Sequence, residues 1–382
     1  MQRHEDGSYP VSPLELFFDL IFAFAFTKLS MYLATELSWR HALETLILLA
    51  TTVTAWSFTS WIATHVHVDD NRSAAWMMVV VALLGLFMNA MIPRAFTDSP
   101  WAFALPMLAI QLGRTLWCIV SMTDRLYRAH YARMMVWLIT TTPLWLIGAS
   151  STAETRLAWW GGATAIELIG TWLAHPIPGH WLRSEQLEFD GEHMLERCRL
   201  FLMIALGEAV LSTGAAISNA GMSITTALVG TAALTGNIAL FSLLFGAANR
   251  RVAAHIHMTH NPVRLTRHAM NTVMFVAAGL IAVAVANELI IHDPNHTHEP
   301  GITMLLFGGP ALIVASIGLY QKAVLKVRRH FEWMMAAALV ASGLISCYLP
   351  PGWQLFVSTL LLVLIAWGEN KGGRNSKSIG TT

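Results

Sequence analysis

"PLELFFDLIFAFAFTKLS", residues 13–30, is apolar at almost every position, yet it carries Glu15, Asp19 and Lys28. Glu15 and Asp19 stand four residues apart and share one face of a helix. About 20 apolar residues suffice to cross the hydrocarbon core of a bilayer, and a charge inside such a span faces protein or water because lipid exposure is costly. The rest of the chain repeats the pattern. Of its 382 residues, 55% are apolar and 12% charged, against about 25% charged in a soluble domain. Apolar runs recur near 14–33, 41–62, 74–92, 101–122, 131–150 and 157–174, then at 195–217, 223–246, 268–291, 302–321, 331–349 and 353–368. The run at 157–174 is short, and the last begins directly after Pro350, Pro351 and Gly352. The expected fold class is therefore all-α, a polytopic transmembrane bundle of about twelve helices. No cleavable signal peptide is expected before the first span, because no basic n-region or small-residue cleavage site precedes it.

Lys and Arg in the loops set orientation. With twelve spans, 17 of the 24 fall on one side, and only Arg40, Arg94 and Arg156 on the other. Lys28, Arg114, Arg197 and Arg199 lie within or at the ends of spans. This bias implies cytoplasmic termini and an even number of spans. Cys118, Cys198 and Cys347 show neither metal nor disulfide spacing and read as small packing residues. The net charge of +1 leaves no footprint for nucleic acid.

Self-similarity divides the chain. "RAHYARMMVWL" from Arg128 aligns with "RRHFEWMMAAAL" from Arg328, each ahead of the fifth span of its half. "HVHVDDN" from His65 aligns with "HIHMTHN" from His255, each after the second span. "PLELFFDLIFAF" corresponds loosely to "MLERCRLFLMIAL", with Glu15 opposite Glu196. The expected organisation is a six-helix repeat over 1–180, a cytoplasmic linker at 181–194, a second six-helix repeat over 195–370 and a cytoplasmic tail at 371–382. Six spans per half make the repeats parallel, an arrangement familiar from transporters with sites between the halves.

The buried charges admit two readings. By rise per residue, Glu15 and Asp19 lie within roughly 10 Å of the cytoplasmic end of the first span. Glu208 lies about 20 Å along its own helix, on the same face as Arg197, while Arg114 and Glu167 fall near the middle of spans four and six. In one reading the acids neutralise Arg114, Arg197, Arg199 and Lys28 in static pairs that fix helix register, although buried pairs are poor stabilisers. In the other they line a polar pathway between the halves, where Asp19 or Glu208 binds a cation or exchanges a proton. Glu15 and Asp19 are expected to face the seventh helix and one of Arg114, Arg197 or Arg199, because a guanidinium keeps its charge at depth and bonds carboxylates in pairs.

Histidines offer a competing metal site. His65, His67, His255 and His257 lie on the cytoplasmic side, and "HDPNHTHE" supplies His292, His296, His298 and Glu299 on the outer side. Such spacings suit zinc, but the clusters fall on opposite faces of the membrane, and solvated interfacial histidines are the plainer reading. No P-loop, nucleophile elbow or dinucleotide fingerprint occurs, and no cofactor is expected.

Two segments carry a resemblance. "SPLELFFDLIFAFAFTKLS" and "HMLERCRLFLMIALGEAVLSTG" from His193 resemble the signature segments of the low temperature requirement A family of bacterial membrane proteins. The shared pattern is E-L-F-F-D-L, then H-x-x-E-R-x-x-L-F-x-x-x-x-L-G-E far downstream. On it, Glu15, Phe17, Phe18, Asp19, His193, Glu196, Arg197, Leu200, Phe201, Gly207 and Glu208 are the family positions. The family pattern expects a Trp/Tyr-Phe-Asp stretch at the end of the eighth span, where this chain has "LLFGAANRR". The resemblance implies a bacterial inner-membrane protein without an agreed molecular activity. "FFDLIFAFA" is also similar to the F-S-D signature opening each repeat of endolysosomal-type potassium channels, with Phe18 in place of the Ser. That likeness makes Phe17, Phe18 and Ile21 candidate pore-lining residues.

The functional expectation is transport of a small solute, proton or cation along a polar path built from Glu15, Asp19, Arg114, Glu167, His193, Glu196, Arg197 and Glu208. A cation channel, a membrane metalloenzyme and an accessory or structural membrane protein are the alternatives. The expected partners are the lipid bilayer and that solute or ion, and nothing in the sequence marks an oligomeric state.

Overall fold

The computed structural model describes residues 11–66, 68, 70–177, 189–246, 262–295, 299–325 and 330–378, with side chains to 369. Among them are twelve α-helices and no strand. The helices are α1 (Pro13–Thr35), α2 (Trp39–Val66), α3 (Arg72–Ala90), α4 (Pro100–Ser121), α5 (Arg125–Ser150) and α6 (Ala153–Trp172). They continue as α7 (Gly191–Ala220), α8 (Ile224–Phe245), α9 (Pro262–His292), α10 (Pro300–Leu325), α11 (His330–Ser346) and α12 (Pro351–Ser378). Each apolar run of the sequence overlaps one helix, with the largest difference at α12, which continues past the run's end at 368 to Ser378.

Helix starts follow local chemistry. α1, α4, α9, α10 and α12 open on proline, whose missing N–H costs nothing in a first turn. Asn71 caps α3 by accepting from the Ser73 and Ala74 amides, and Asp124 caps α5 through Leu126. Interior prolines at 106, 143 and 310 leave α4, α5 and α10 continuous, as membrane helices permit.

Among the described residues, ten helices are long and apolar enough to span a membrane. α12, which contains the run after Pro350, is among them. The two exceptions are α6, with Glu154, Arg156 and Glu167 in 20 residues, and the apolar but 17-residue α11. Large apolar side chains cover the outside: Trp39, Val120, Leu211 and Ile345 are each more than two-thirds exposed. Apolar cover on this scale belongs against lipid rather than water.

The helices fall into two compact units. The first comprises α1 as far as Tyr32, α2–α6 and the opening of α7 through Arg197. Here α3, α4, α5 and α6 pack as consecutive neighbours, and α2 contacts α3, α4 and α6. Sixteen of the 28 residues of α2 are buried, many of them Ser or Thr. The hydroxyls of Thr51, Thr59 and Thr64 donate to carbonyls four residues back, so these three side chains satisfy their polar tips within their own helix. Arg156, at the start of α6, is also buried and donates to the carbonyls of Gly148, Ser151, Ala95 and Thr97. It ties the α5–α6 turn to the chain between α3 and α4.

The second unit comprises Leu33–Ser38, α7 from Cys198, α8 and α9–α12 from Leu265 onward. α8 packs on α12, and α10 on α11. α9 and α10 cross at glycine. A Cβ added to Gly279 would stand 2.5 Å from Ile313 Cγ1 and 2.7 Å from the Gly309 carbonyl, and one at Gly309 would stand 2.8 Å from the Gly279 carbonyl. Small residues allow membrane helices this approach.

Candidate functional site: a buried ion cluster where α1 meets α7

The site starts with a helix cap. In Ser12-Pro13-Leu14-Glu15, the Ser12 hydroxyl accepts the Glu15 amide at 3.3 Å, and Glu15 Oε2 accepts the Ser12 amide at 2.9 Å. This reciprocal pair is a capping box. It commits one oxygen of Glu15 to the helix end and leaves Oε1 to face α7. There Oε1 meets His193 Nε2 at 3.0 Å and Arg197 Nη1 at 3.3 Å.

One turn along α1, Asp19 completes the cluster. Its Oδ1 accepts from Arg197 Nη2 at 2.6 Å and from the Trp56 indole of α2 at 2.7 Å, while Oδ2 takes the longer bond from Arg197 Nε at 3.4 Å. Arg197 Nη1 also donates to the Ser60 carbonyl, and its guanidinium lies 5.8 Å from the Phe18 ring centre. Asp19 and Arg197 have no solvent exposure, and Glu15 and His193 have less than a tenth. Just ahead of α7, the Asp190 carboxylate accepts the His193 amide at 3.0 Å and sets the first turn. Thus two pairs spaced i, i+4 meet in register, Glu15 with His193 and Asp19 with Arg197. Because both numbers rise together, α1 and the start of α7 run parallel here.

A second polar centre lies in the same unit. Glu167 is buried on α6 and accepts from Thr141 Oγ1 at 2.9 Å, Trp145 Nε1 at 2.9 Å and Gln111 Nε2 at 3.1 Å. All three donors are neutral. Arg114, one turn from Gln111 on α4, donates instead to the Ala55 carbonyl and Thr59 hydroxyl, with its guanidinium 5.4 Å from the centre of the Phe58 ring. Ala55 and Trp56 are adjacent on α2, so Arg114 and Asp19 are bonded to successive residues. A buried polar thread therefore runs from Glu167 through Gln111, Arg114, α2 and Asp19 to Arg197, Glu15 and His193.

The remaining sequence-derived positions are scattered. Glu196 and Arg199 are exposed, and Glu208 is half-buried on the part of α7 in the second unit. Phe17 is 58% exposed, Phe18 is fully buried, and Ile21 is intermediate, its carbonyl accepting from Asn89 Nδ2. His65 stacks on Tyr127 with ring centres 3.7 Å apart. His67, His255 and His257 lie outside the described residues, as do His296 and His298. Among the described residues no three His, Cys, Asp or Glu side chains gather as metal ligands.

Sequence reasoning missed several members of the thread. Ser12 is readable from the S-x-x-E spacing. Trp56, Gln111, Thr141 and Trp145 carry no sequence signal beyond being polar-tipped residues in apolar runs, and only the packing of α2, α4 and α5 makes them donors.

An all-α bundle with lipid-facing apolar sides and a buried ion cluster defines a multi-pass integral membrane protein in contact with the bilayer. The chain belongs to the bacterial low temperature requirement A protein (LtrA) family, whose model matches residues 10–367. It is similar to an uncharacterized protein of Rhizobium meliloti (strain 1021), 25% identical over 360 residues that cover 92% of this chain and 87% of the relative. No solved structure matches.

Proposed function

We propose that this LtrA-family protein transports a small solute or ion, and that a proton or cation exchanges along the polar thread of the first unit. The observation that carries the reading is Asp19. It is a carboxylate without solvent exposure on an apolar membrane helix, held by Arg197 and Trp56 and one turn from a second carboxylate. A bundle that needed only stability would do as well with apolar residues of similar volume. Intramembrane ionisable groups of this kind mark ion paths and proton relays. Glu167 supports the same reading, since it keeps a carboxyl group in the core on neutral donors alone.

The test is flux into proteoliposomes holding a pH-sensitive dye, with and without a pH gradient and with Na⁺ or K⁺ outside. Asp19→Asn and Glu167→Gln keep size and one acceptor oxygen, while the second oxygen becomes an NH2 donor and the ionisable proton is lost. Both are expected to assemble normally and to lower pH-driven flux about tenfold or more, the scale of losing an interaction worth about 1.4 kcal/mol. Normal assembly with unchanged flux in both variants would leave the cluster a register device and sink the transport reading.

We also infer two parallel six-helix repeats, α1–α6 and α7–α12, with both termini on the cytoplasmic side of the inner membrane. The parallel meeting of α1 and α7 supports this, since equivalent helices of parallel repeats enter from the same side, and the Lys/Arg bias supports the orientation. Reporter fusions after Arg156 should read outside, and fusions at the C-terminus inside. An outward C-terminus would reject the topology.

A further inference from the structure

Across the Phe58 ring from Arg114, the first unit holds a basic cluster that none of the above uses. His130 and Arg133 stand three residues apart on α5, hence on one face. His175 follows the end of α6, where Ala174 and His175 both take positive φ, 58° and 53°, a conformation uncommon outside glycine. The bond from the His175 amide to the Gly170 carbonyl at 2.7 Å holds that turn. Its ring, 4% exposed, lies 5.7 Å from the His130 ring and 5.8 Å from Phe58. The Trp137 ring, whose indole donates to the Pro176 carbonyl, stands edge-on to it at 6.2 Å.

The unusual feature is what these groups lack. His130 Nδ1, His175 Nδ1, and Arg133 Nε and Nη2 are buried without a hydrogen-bond partner among the described residues. A buried polar atom left unpaired is costly, and here four belong to three neighbouring basic residues. A metal cation fits poorly, because the guanidinium beside the imidazoles keeps its charge. An oxyanion answers both deficits, accepting from the guanidinium and the ring nitrogens together. His130 lies five residues into α5, roughly 8 Å from its start, and His175 just beyond α6. Both therefore stand near the ends of their helices, at the level where lipid phosphates lie.

We propose that His130, Arg133 and His175 form a binding site for a phosphate-class oxyanion, either a free ion or the phosphate of an anionic lipid headgroup. Arg133 is the charged fork and the two imidazoles complete the shell. Its partial exposure gives the anion a way in.

Burial, with His130 and Arg133 beside it, holds His175 down at about 3, so at neutral pH the ring is uncharged. Among the described residues, the groups facing it are His130, Arg133 and Trp137 of α5 and Phe58 of α2, none of them an acid. A bound anion supplies the absent negative charge and favours the protonated ring. Binding then takes up a proton, so affinity rises as pH falls from 8 toward 6.

The experiment uses the full chain purified in detergent and titrated with inorganic sulfate, whose charge is constant over that range, with tryptophan fluorescence and thermal unfolding as readouts. In parallel, native mass spectrometry follows phosphatidylglycerol carried from the membrane. For a free ion, sulfate should bind, more tightly at lower pH, and about tenfold more weakly in Arg133→Gln and in His130→Gln, while Arg133→Lys recovers part of the loss. For a headgroup, sulfate should have little effect, and phosphatidylglycerol adducts should be lost in Arg133→Gln at an unchanged gel-filtration profile. If Arg133→Gln does not fold, His130→Gln alone decides both arms. Absence of sulfate binding together with unchanged adducts overturns the proposal, and sulfate affinity indifferent to pH removes His175 from the site.

Discussion

Arg197→Met should leave little folded protein in the membrane. The substitution keeps approximate volume but strands Glu15 and Asp19, two carboxylates one turn apart with almost no access to water. Breaking one side of a buried ion pair costs about 3–5 kcal/mol, which is a large part of the 5–15 kcal/mol that stabilises a typical domain. Arg197→Lys should recover only part of this, because a single ammonium cannot bond both oxygens of Asp19 while reaching Glu15 and the Ser60 carbonyl. The informative partner is the triple variant Glu15→Gln, Asp19→Asn, Arg197→Met. It removes every stranded charge, leaves the introduced amide oxygen able to accept from Trp56, and should fold close to wild type, since replacing a whole buried ion network is often neutral. Fluorescence-detected gel filtration and the thermal midpoint report both. Wild-type folding of Arg197→Met would mean that water reaches the cluster. A folded triple variant that still transports would assign the thread a purely architectural role.

Gly309→Val should be the most damaging apolar change in the second unit, with Gly279→Val beside it. At both positions a Cβ would meet a backbone carbonyl at 2.7–2.8 Å. A backbone atom cannot swing aside as a side chain can, so α9 and α10 must separate along the crossing. Overpacking costs about 1–3 kcal/mol and occasionally more, and here the contacts on both sides of the crossing are lost as well. Gly308 is the internal control. It is the adjacent residue, and a Cβ there meets nothing within 4 Å, so Gly308→Ala should be neutral or stabilise by up to about 1 kcal/mol through helix propensity. Equal midpoint shifts at 308 and 309 would refute the close crossing.

Much of the fold is legible in the sequence because a bilayer enforces it. Each helix must satisfy its own backbone and present apolar sides outward, so hydrophobic run length alone finds all twelve helices among the described residues. The exceptions to span length also have readable causes: α6 carries three charges, and α11 is one turn or so short. The site is half legible. Charge in an apolar run flags Glu15, Asp19, Arg114, Glu167 and Arg197. The expectation that Glu15 and Asp19 face the seventh helix and an arginine leaves three arginines open, while the pairing of His193 with Glu15 is visible only in the structure. The partners of Glu167 are not legible. A carboxylate in mid-span reads as needing an arginine, yet Gln111, Thr141 and Trp145 satisfy it from two other helices, a matter of tertiary packing. Motif membership misleads in its own way, since Glu196 and Glu208 belong to the same signature as Arg197 yet stand apart from the cluster. One position at the edge of a motif can face inward while its neighbour, 100° around the helix, faces outward.

The pairing of Asp19 with Arg197 across 178 residues of chain has a consequence for biogenesis. α1 leaves the ribosome with both carboxylates, and their counter-charge is still unmade. At about 5–20 residues per second, the wait is on the order of 10–35 s, during which five further helices are laid into the bilayer. Glu15 can pass that time at the membrane surface, tied into the cap of its own helix. Asp19 has a nearer first companion in the Trp56 indole, 37 residues on, which arrives with the second helix. The arginine comes last, on the opening turns of α7, so this half of the molecule is locked only when synthesis of the other half has begun.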